Sequence, residues 1–214
     1  MLVRGNEMRN ENTAQKILDA ALGLFAKKGY DAVSVDEIAK AVGIKAPSIY
    51  NHFGSKQELF DAIVETTAER YAHDTDKLDF CAEGKAKELS QCKKISEQAL
   101  YEKVKQIFEY SLHDQWISDF RKMMTIEQFR SDSFGEIYTK RFIDRLVDFH
   151  SAIFSSLISE GEITGNADAL ALIYVAPIIT LIGICDRQPE REAECLEKLE
   201  KHVALFYYMA HHSK

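Results

Sequence analysis

Breakers are scarce in this chain: 3 prolines and 10 glycines in 214 residues. Together with few β-branched runs, this argues against a turn-rich all-β chain and for a helical one. Cysteine is scarce too. Cys81, Cys92, Cys185 and Cys195 form no C-x-x-C pair, which speaks against a zinc finger or a thioredoxin-like centre. Free thiols in a reducing cytoplasm are the expectation, and nothing in the sequence around them lowers a thiol pKa. Positive charge is not in excess: the formal charge is −7 and the pI about 5.5, which excludes a protein coated with phosphate-binding cations. The longest uncharged stretch, residues 169–185, is 17 residues long, contains Pro177 and lies between Asp168 and Asp186. That is short for a membrane span and typical of a buried helix, so no membrane is expected as a partner. The start of the chain is polar and lacks the apolar centre of a secretion signal. No nucleophile elbow, glycine-rich phosphate loop or H-E-x-x-H occurs, so neither an enzyme nor a cofactor is expected. His113-Asp114 reads as a helix end with a surface ion pair rather than a metal site.

What is present is an ordinary globular composition, 46% hydrophobic and 29% charged, with helical periodicity throughout. Ile17, Leu18, Ala21, Leu24 and Phe25 recur on one face, with Asn12 or Thr13 as a candidate cap and Gly29-Tyr30 as the end. Ser34 followed by Glu37 is a capping box opening a short helix that stops at Gly43. Pro47 suits the first turn of a third short helix over residues 46–52, ended by Gly54. Ser55 and Glu58 repeat the capping box before a fourth helix carrying Leu59, Phe60, Ile63 and Val64. A break is expected across residues 72–85. Long helices follow over residues 86–112, 116–130, 133–159 (capped from Ser131-Asp132-Ser133), 167–186 and 190–211, with turns at Gly161, Gly165 and Gln188-Pro189.

Two short helices joined by a glycine-containing turn, after a longer one, are the helix-turn-helix pattern. Helices this short are not stable alone and must pack on the helices before and after them. The second presents side chains to base edges from its N-terminal end. It carries hydrogen-bonding groups rather than many charges: Lys45, Ser48, Tyr50, Asn51 and His52, with Lys56 just beyond. The charge distribution agrees. Residues 1–56 sum to +2 and the remainder to −9, so only the N-terminal quarter suits phosphates. Plainer roles compete: Ser34 and Ser55 as caps, Tyr50 in core packing, Lys45 as a solvated lysine.

Val33-Ser34-Val35-Asp36-Glu37-Ile38-Ala39, then Gly43-Ile44-Lys45-Ala46-Pro47-Ser48-Ile49-Tyr50-Asn51-His52-Phe53-Gly54-Ser55-Lys56-Gln57-Glu58-Leu59, resemble the DNA-binding domain of the tetracycline-repressor (TetR) family. The resemblance covers about residues 13–64. It implies an all-α chain of two domains. Residues 1–64 would be a three-helix helix-turn-helix domain, and residues 65–214 a larger helical effector-binding and dimerisation domain. It places Ser34 and Val35 at the phosphate backbone, although many members have threonine where Val35 stands. It places Lys45, Ala46 and Pro47 at the groove-facing end, with Ser48 and Asn51 on bases or phosphates. Tyr50 and His52 fall at backbone-contacting positions, Lys56 at a phosphate clamp, and Phe53 is assigned to the core. The partner so implied is a double-stranded, near-palindromic DNA operator. The function implied is repression, released by a small molecule, with residues 56–71 and 72–85 as couplers.

The middle of the chain is rich in aromatic residues and methionine, which at helical spacing is first of all a core. Where the family has its ligand cavity, Trp116, Phe120, Met123, Met124, Phe134, Tyr138, Phe142, Phe149 and Tyr174 are candidates to line it. Glu127 and His150 are the polar contacts for a largely apolar effector. The stretch Leu172, Ile173, Val175, Ile178, Ile179, Leu181 and Ile182 is apolar nearly all round and needs cover on all sides. By resemblance, Ile178, Ile182, Leu196, Leu199, Val203 and Phe206 would pair with their copies in a homodimer. Alternatives from other classes remain: a helical ligand-binding or protein-interaction protein with a non-functional DNA reader, or a helical enzyme.

Overall fold

The sequence periodicities become helices one by one in the computed structural model, which describes residues 2–77 and 95–212. Helix α1 spans Leu2–Lys28. It begins well before Asn12 and Thr13, so neither is a cap. The preceding Leu, Arg, Glu and Met residues are good helix formers, and nothing at Asn12 interrupts them. Ile17, Leu18, Ala21, Leu22 and Phe25 form its buried face. Leu24, expected there, is only half-buried. Helix α2 (Val35–Val42) opens at Ser34 and stops at Gly43, whose φ of 77° suits a residue without a Cβ. Helix α3 is Ala46–Tyr50, shorter than expected because Asn51 already serves as its C-cap. Helix α4 (Lys56–Lys77) runs into the region expected to break. Once established, a helix propagates cheaply through His73, Asp74 and Thr75 despite their weak propensities. Residues 78–85, the start of the helix expected over 86–112, and Cys81 and Cys92 lie outside the described residues.

The chain continues in α5 (Glu97–His113), capped by Ser96, and α6 (Gln115–Glu127). Ser131 Oγ accepts the Phe134 N–H at 3.3 Å at the head of α7 (Asp132–Thr139). The single long helix expected to Ser159 is interrupted by a wider π turn over Lys140–Asp144 before α8 (Arg145–Ser159). Gly161 and Gly165, at φ 77° and 129°, make the next turn. Then follow α9 (Ala167–Arg187), a short 3-10 turn at Pro189–Arg191, and α10 (Glu192–His212). Among the described residues all regular structure is helical, so the chain is all-α.

Two compact units result. The first combines Met1–Tyr71 with Gln115–Gly135; the second combines Ala72–Asp114 with Glu136–Lys214. In the first, α6 packs along α1. Phe120, Met123 and Met124 join Phe25, Ile38, Ile49, Leu59, Phe60 and Ile63 in one core. Each such side chain contributes about 1.5–3 kcal/mol when fully buried. This is what holds α2 and α3, too short to persist alone. In the second unit, α9 packs on α8 and α10. Phe108, Phe154, Tyr174, Cys195, Leu199, Val203 and Phe206 lie at its centre. By length and composition alone Ala167–Arg187 is long and apolar enough to cross a membrane, a test that a core helix also passes.

Candidate nucleic-acid interface

The helix-turn-helix is locked first by its own caps. Glu37 N–H donates to Ser34 Oγ at 3.2 Å and Ser34 N–H donates to Glu37 Oε2 at 3.1 Å. The other oxygen of Glu37 accepts from Lys28 Nζ at 2.8 Å, which ties the end of α1 to α2. That bond, then the Ser34 backbone N–H, hold the Glu37 carboxyl below its ordinary range. The capping expected at Ser55 is present in altered form. Ser55 Oγ accepts Glu58 N–H at 3.0 Å, but Glu58 reaches back to Gly54 N–H at 2.9 Å.

Within α3 only Ile49 is buried, at 2% exposure, and it anchors the helix to the core. Lys45, Pro47, Tyr50 and Asn51 are exposed, while Ala46, Ser48, His52 and Phe53 are half-buried. Tyr50 is 52% exposed, so its ring does not serve the core. Phe53, assigned to the core from sequence, is only partly covered, with His52 beside it at a ring separation of 6.4 Å. Ser34 is exposed and Val35 half-buried at the start of α2. The residues of the reading helix and its approach therefore form one open, cation-bearing surface.

Lys56 is placed differently. Its Nζ lies 4.2 Å from the centroid of the Tyr30 ring and 5.8 Å from that of Phe25. Burial lowers its pKa from the ordinary value, while Asp31 and Glu127 act in the opposite direction. Tyr30 is the hub of this corner. Its ring meets Phe25, Phe60 and Phe134 at 5.2, 5.5 and 5.6 Å. Its hydroxyl donates to Gln57 Oε1 at 3.4 Å. Its backbone N–H donates to Glu127 Oε1 at 2.8 Å. Burial, then Asp31 and Asp61, raise its phenol pKa.

The candidate effector residues are divided between the units. Trp116, Phe120, Met123, Met124, Glu127 and Phe134 lie in the first. There Met123, Met124 and Glu127 are fully buried. The Trp116 indole N–H donates to Thr67 Oγ1 at 2.8 Å, Thr67 donates on to the Ile63 carbonyl at 2.7 Å, and the Arg70 guanidinium sits 4.4 Å over the indole. In the second unit, Tyr138 and Phe142 pair at 5.2 Å. His150 meets Phe149 at 5.2 Å and Tyr174 at 4.9 Å. His150 Nδ1–H donates to the Leu146 carbonyl at 2.7 Å. Desolvation, partly offset by that bond, lowers its pKa. His113 Nε2 pairs with Glu192 Oε1 at 2.9 Å. Thr67, Arg70 and Arg130 carried no signal in the sequence, and Tyr30 only that of a helix end, because their partners lie far along the chain.

Of the candidate dimer residues, Leu199, Val203 and Phe206 are buried in the second unit's own core, and Ile178, Ile182 and Leu196 are half-buried against it. The large apolar residues left exposed on α9 and α10 are Leu172, Ile173, Leu205 and Tyr208, at 55, 45, 59 and 60%.

Comparison with known proteins agrees with this architecture. The profile of the bacterial regulatory proteins, tetR family, matches residues 17–63. IcaR of Staphylococcus aureus (strain Newman), named as the negative transcriptional regulator of the biofilm operon icaADBC, is 48% identical over 50 residues. That match spans 23% of this chain and 27% of IcaR. Among solved structures, a TetR transcription regulator from Haloarcula marismortui superimposes with a TM-score of 0.67 at 14% identity, covering 94% of this chain and 98% of that one. NalD of Pseudomonas aeruginosa, described as the secondary repressor of the MexAB-OprM multidrug efflux pump, gives 0.63 at 20% identity, covering 95% and 100%. At these identities the solved structures share the fold.

Proposed function

We propose that the chain is a cytoplasmic, sequence-specific DNA-binding repressor of the tetR family, a reading supported by the match of residues 17–63 to that family's profile. The open face of α3 carries this reading: a helix anchored by Ile49 alone, with Lys45, Ser48, Tyr50 and Asn51 left for DNA. Residues 1–64 form the reading domain. Ser48 and Asn51 suit base edges or phosphates, and Lys45, Ala46 and Pro47 enter the groove at the N-terminal end of the helix. Ser34, Val35, Tyr50 and His52 position the domain on the backbone. Lys56 divides its charge between the phosphates and the Tyr30 ring. Repression is supported by the similarity of the reading domain to that of IcaR, a negative transcriptional regulator.

Residues 65–214 dimerise and respond to a small, largely apolar effector. A two-fold dimer carries two reading helices and so requires a near-palindromic site. The exposed Leu172, Ile173, Leu205 and Tyr208 provide apolar surface for a second copy, together with the half-buried Ile178, Ile182 and Leu196. The effector stabilises a dimer geometry in which the reading helices no longer match the operator, so affinity falls by its differential binding to the two states. The aromatic cluster of Phe149, His150 and Tyr174 is its candidate contact in the second unit.

The test is titration of the full-length protein onto the duplex flanking its own gene, at two salt concentrations with random competitor. Specific, salt-sensitive binding is expected. Lys45→Ala should weaken it and reduce the slope of log affinity against log salt by about one. An unchanged slope, or equal affinity for every duplex, overturns the reading.

A further inference from the structure

Glu127 is a carboxylate with no exposed surface, and its Oε2 has no hydrogen-bond partner. A buried carboxylate is costly unless its bonds are made. Its Oε1 is engaged at the turn that leads from α1 into the helix-turn-helix. Oε1 accepts the Tyr30 backbone N–H at 2.8 Å. Arg130 Nη1 lies 3.6 Å from Oε1 and 3.5 Å from Asp31 Oδ2, so the residues ending α6 grip two consecutive positions of the turn.

The need for such a grip follows from the helix end. Gly29 N–H closes α1 on the Phe25 carbonyl at 2.8 Å. Gly29 is left-handed, at φ +83°, and the chain then turns away. The Tyr30 N–H, next in line, would be an unsatisfied donor without an acceptor from elsewhere. Glu127, 97 residues along, supplies it. The fit is close: a Cβ on Gly29 would stand 2.7 Å from Glu127 Oε1. From Tyr30 the path to the reading helix is short. The Tyr30 carbonyl accepts the Val33 N–H at 3.3 Å, and Ser34 caps α2. The Tyr30 ring in turn holds Lys56 and Phe60 of α4, behind the helix-turn-helix.

We infer that Glu127 is a positioning residue for DNA recognition, fixing through the Tyr30 N–H the orientation in which α2 and α3 meet the duplex. The inference rests on the DNA-reading function proposed above. Its consequence is a division of effects. Base contacts need the reading helix held to a fraction of an ångström, whereas phosphate attraction is long-ranged and tolerant. Loss of the Glu127 acceptor should therefore lower specific binding and spare non-specific binding.

The experiment uses the full chain with Glu127→Met, which keeps volume and removes the acceptor, and Glu127→Gln, which keeps the acceptor and removes the charge. For Glu127→Met, affinity for the selected duplex should fall about tenfold or more, the scale of one orphaned buried donor. Affinity for random duplex, and its salt slope, should change less than about twofold, because no phosphate-facing cation is replaced. Glu127→Gln should restore specific binding to within about threefold, since the neutral amide oxygen still accepts. In the wild-type protein without DNA, the Tyr30 amide should exchange slowly although it lies outside any helix. Equal specific affinity in all three proteins, parallel loss of specific and random binding in the Met variant, or fast exchange at Tyr30 overturns the inference. A wild-type protein that prefers no duplex overturns the DNA-reading function itself, and the inference with it.

Discussion

His150 shows how a single side chain sets a measurable property. Its Nδ1–H is committed to the Leu146 carbonyl, and burial among Phe149, Phe154 and Tyr174 depresses its pKa. The unfolded imidazole titrates near 6.5. The folded one binds its proton less readily, so the stability it supports is present above that value and is lost as the pH falls below it. Denaturant unfolding of the wild type and of His150→Phe across that range should show a steeper acid loss in the wild type. Parallel curves would assign the acid sensitivity elsewhere. Cys185 and Cys195 are both buried and unpaired as disulfides. Burial first, then the hydrogen bond to Cys195, push the Cys185 thiol up to about 12. Thiolate is the reactive form, so iodoacetamide should label Cys185 in the unfolded protein and leave it intact in the folded one. Rapid labelling in native buffer would contradict that burial.

The helix ends were the most legible features, because a cap is a local pattern. The Ser34–Glu37 box, the Gly43 stop and the Ser131 cap each rest on residues a few positions apart. Their contributions are testable individually. Ser34→Ala should cost about 1 kcal/mol in chemical unfolding. Gly43 and Gly29 separate two costs of replacing a left-handed glycine. An added Cβ at Gly43 meets nothing within 4 Å, so Gly43→Ala should cost only the backbone term, about 1–2 kcal/mol. At Gly29 the same Cβ meets Glu127 Oε1 at 2.7 Å, so Gly29→Ala should cost clearly more. Equal losses would mean that Glu127 yields freely. What stayed illegible was non-local or cooperative. The start of α1, the run of α4 to Lys77 and the π turn at Lys140–Asp144 depend on propagation and packing rather than on a boundary residue. The Tyr30–Glu127 bond joins positions 97 apart, and no pattern in either segment announces it. From sequence Glu127 is a candidate effector contact, and Lys56 a phosphate clamp. The structure adds Tyr30 as a partner of both.

At the scale of the whole molecule, the all-α architecture was readable from scarce breakers and regular periodicity. The surface of the last two helices was not. Leu199, Val203 and Phe206 have the spacing of an apolar face, and that face is turned into the second unit's own core. The exposed apolar residues, Leu172, Ile173, Leu205 and Tyr208, lie at other positions of the same helices. If they cover a second copy, the protein should scatter light as a dimer at micromolar concentration. Leu205→Glu with Ile173→Glu should then give a folded monomer with weakened operator binding, because two linked reading domains bind far more tightly than one. A monomeric wild type, or a doubly substituted dimer, would place the interface elsewhere.

The central claim is that α3 reads DNA sequence as one of a symmetric pair. Selection of bound duplexes from a random library by the full-length protein, repeated at low and moderate salt, tests it most directly. The expected result is one enriched site with two-fold symmetry, its half-sites about one helical turn or a multiple apart, lost when Lys45 and Lys56 are both replaced by Ala. Enrichment of no sequence at either salt would contradict the claim.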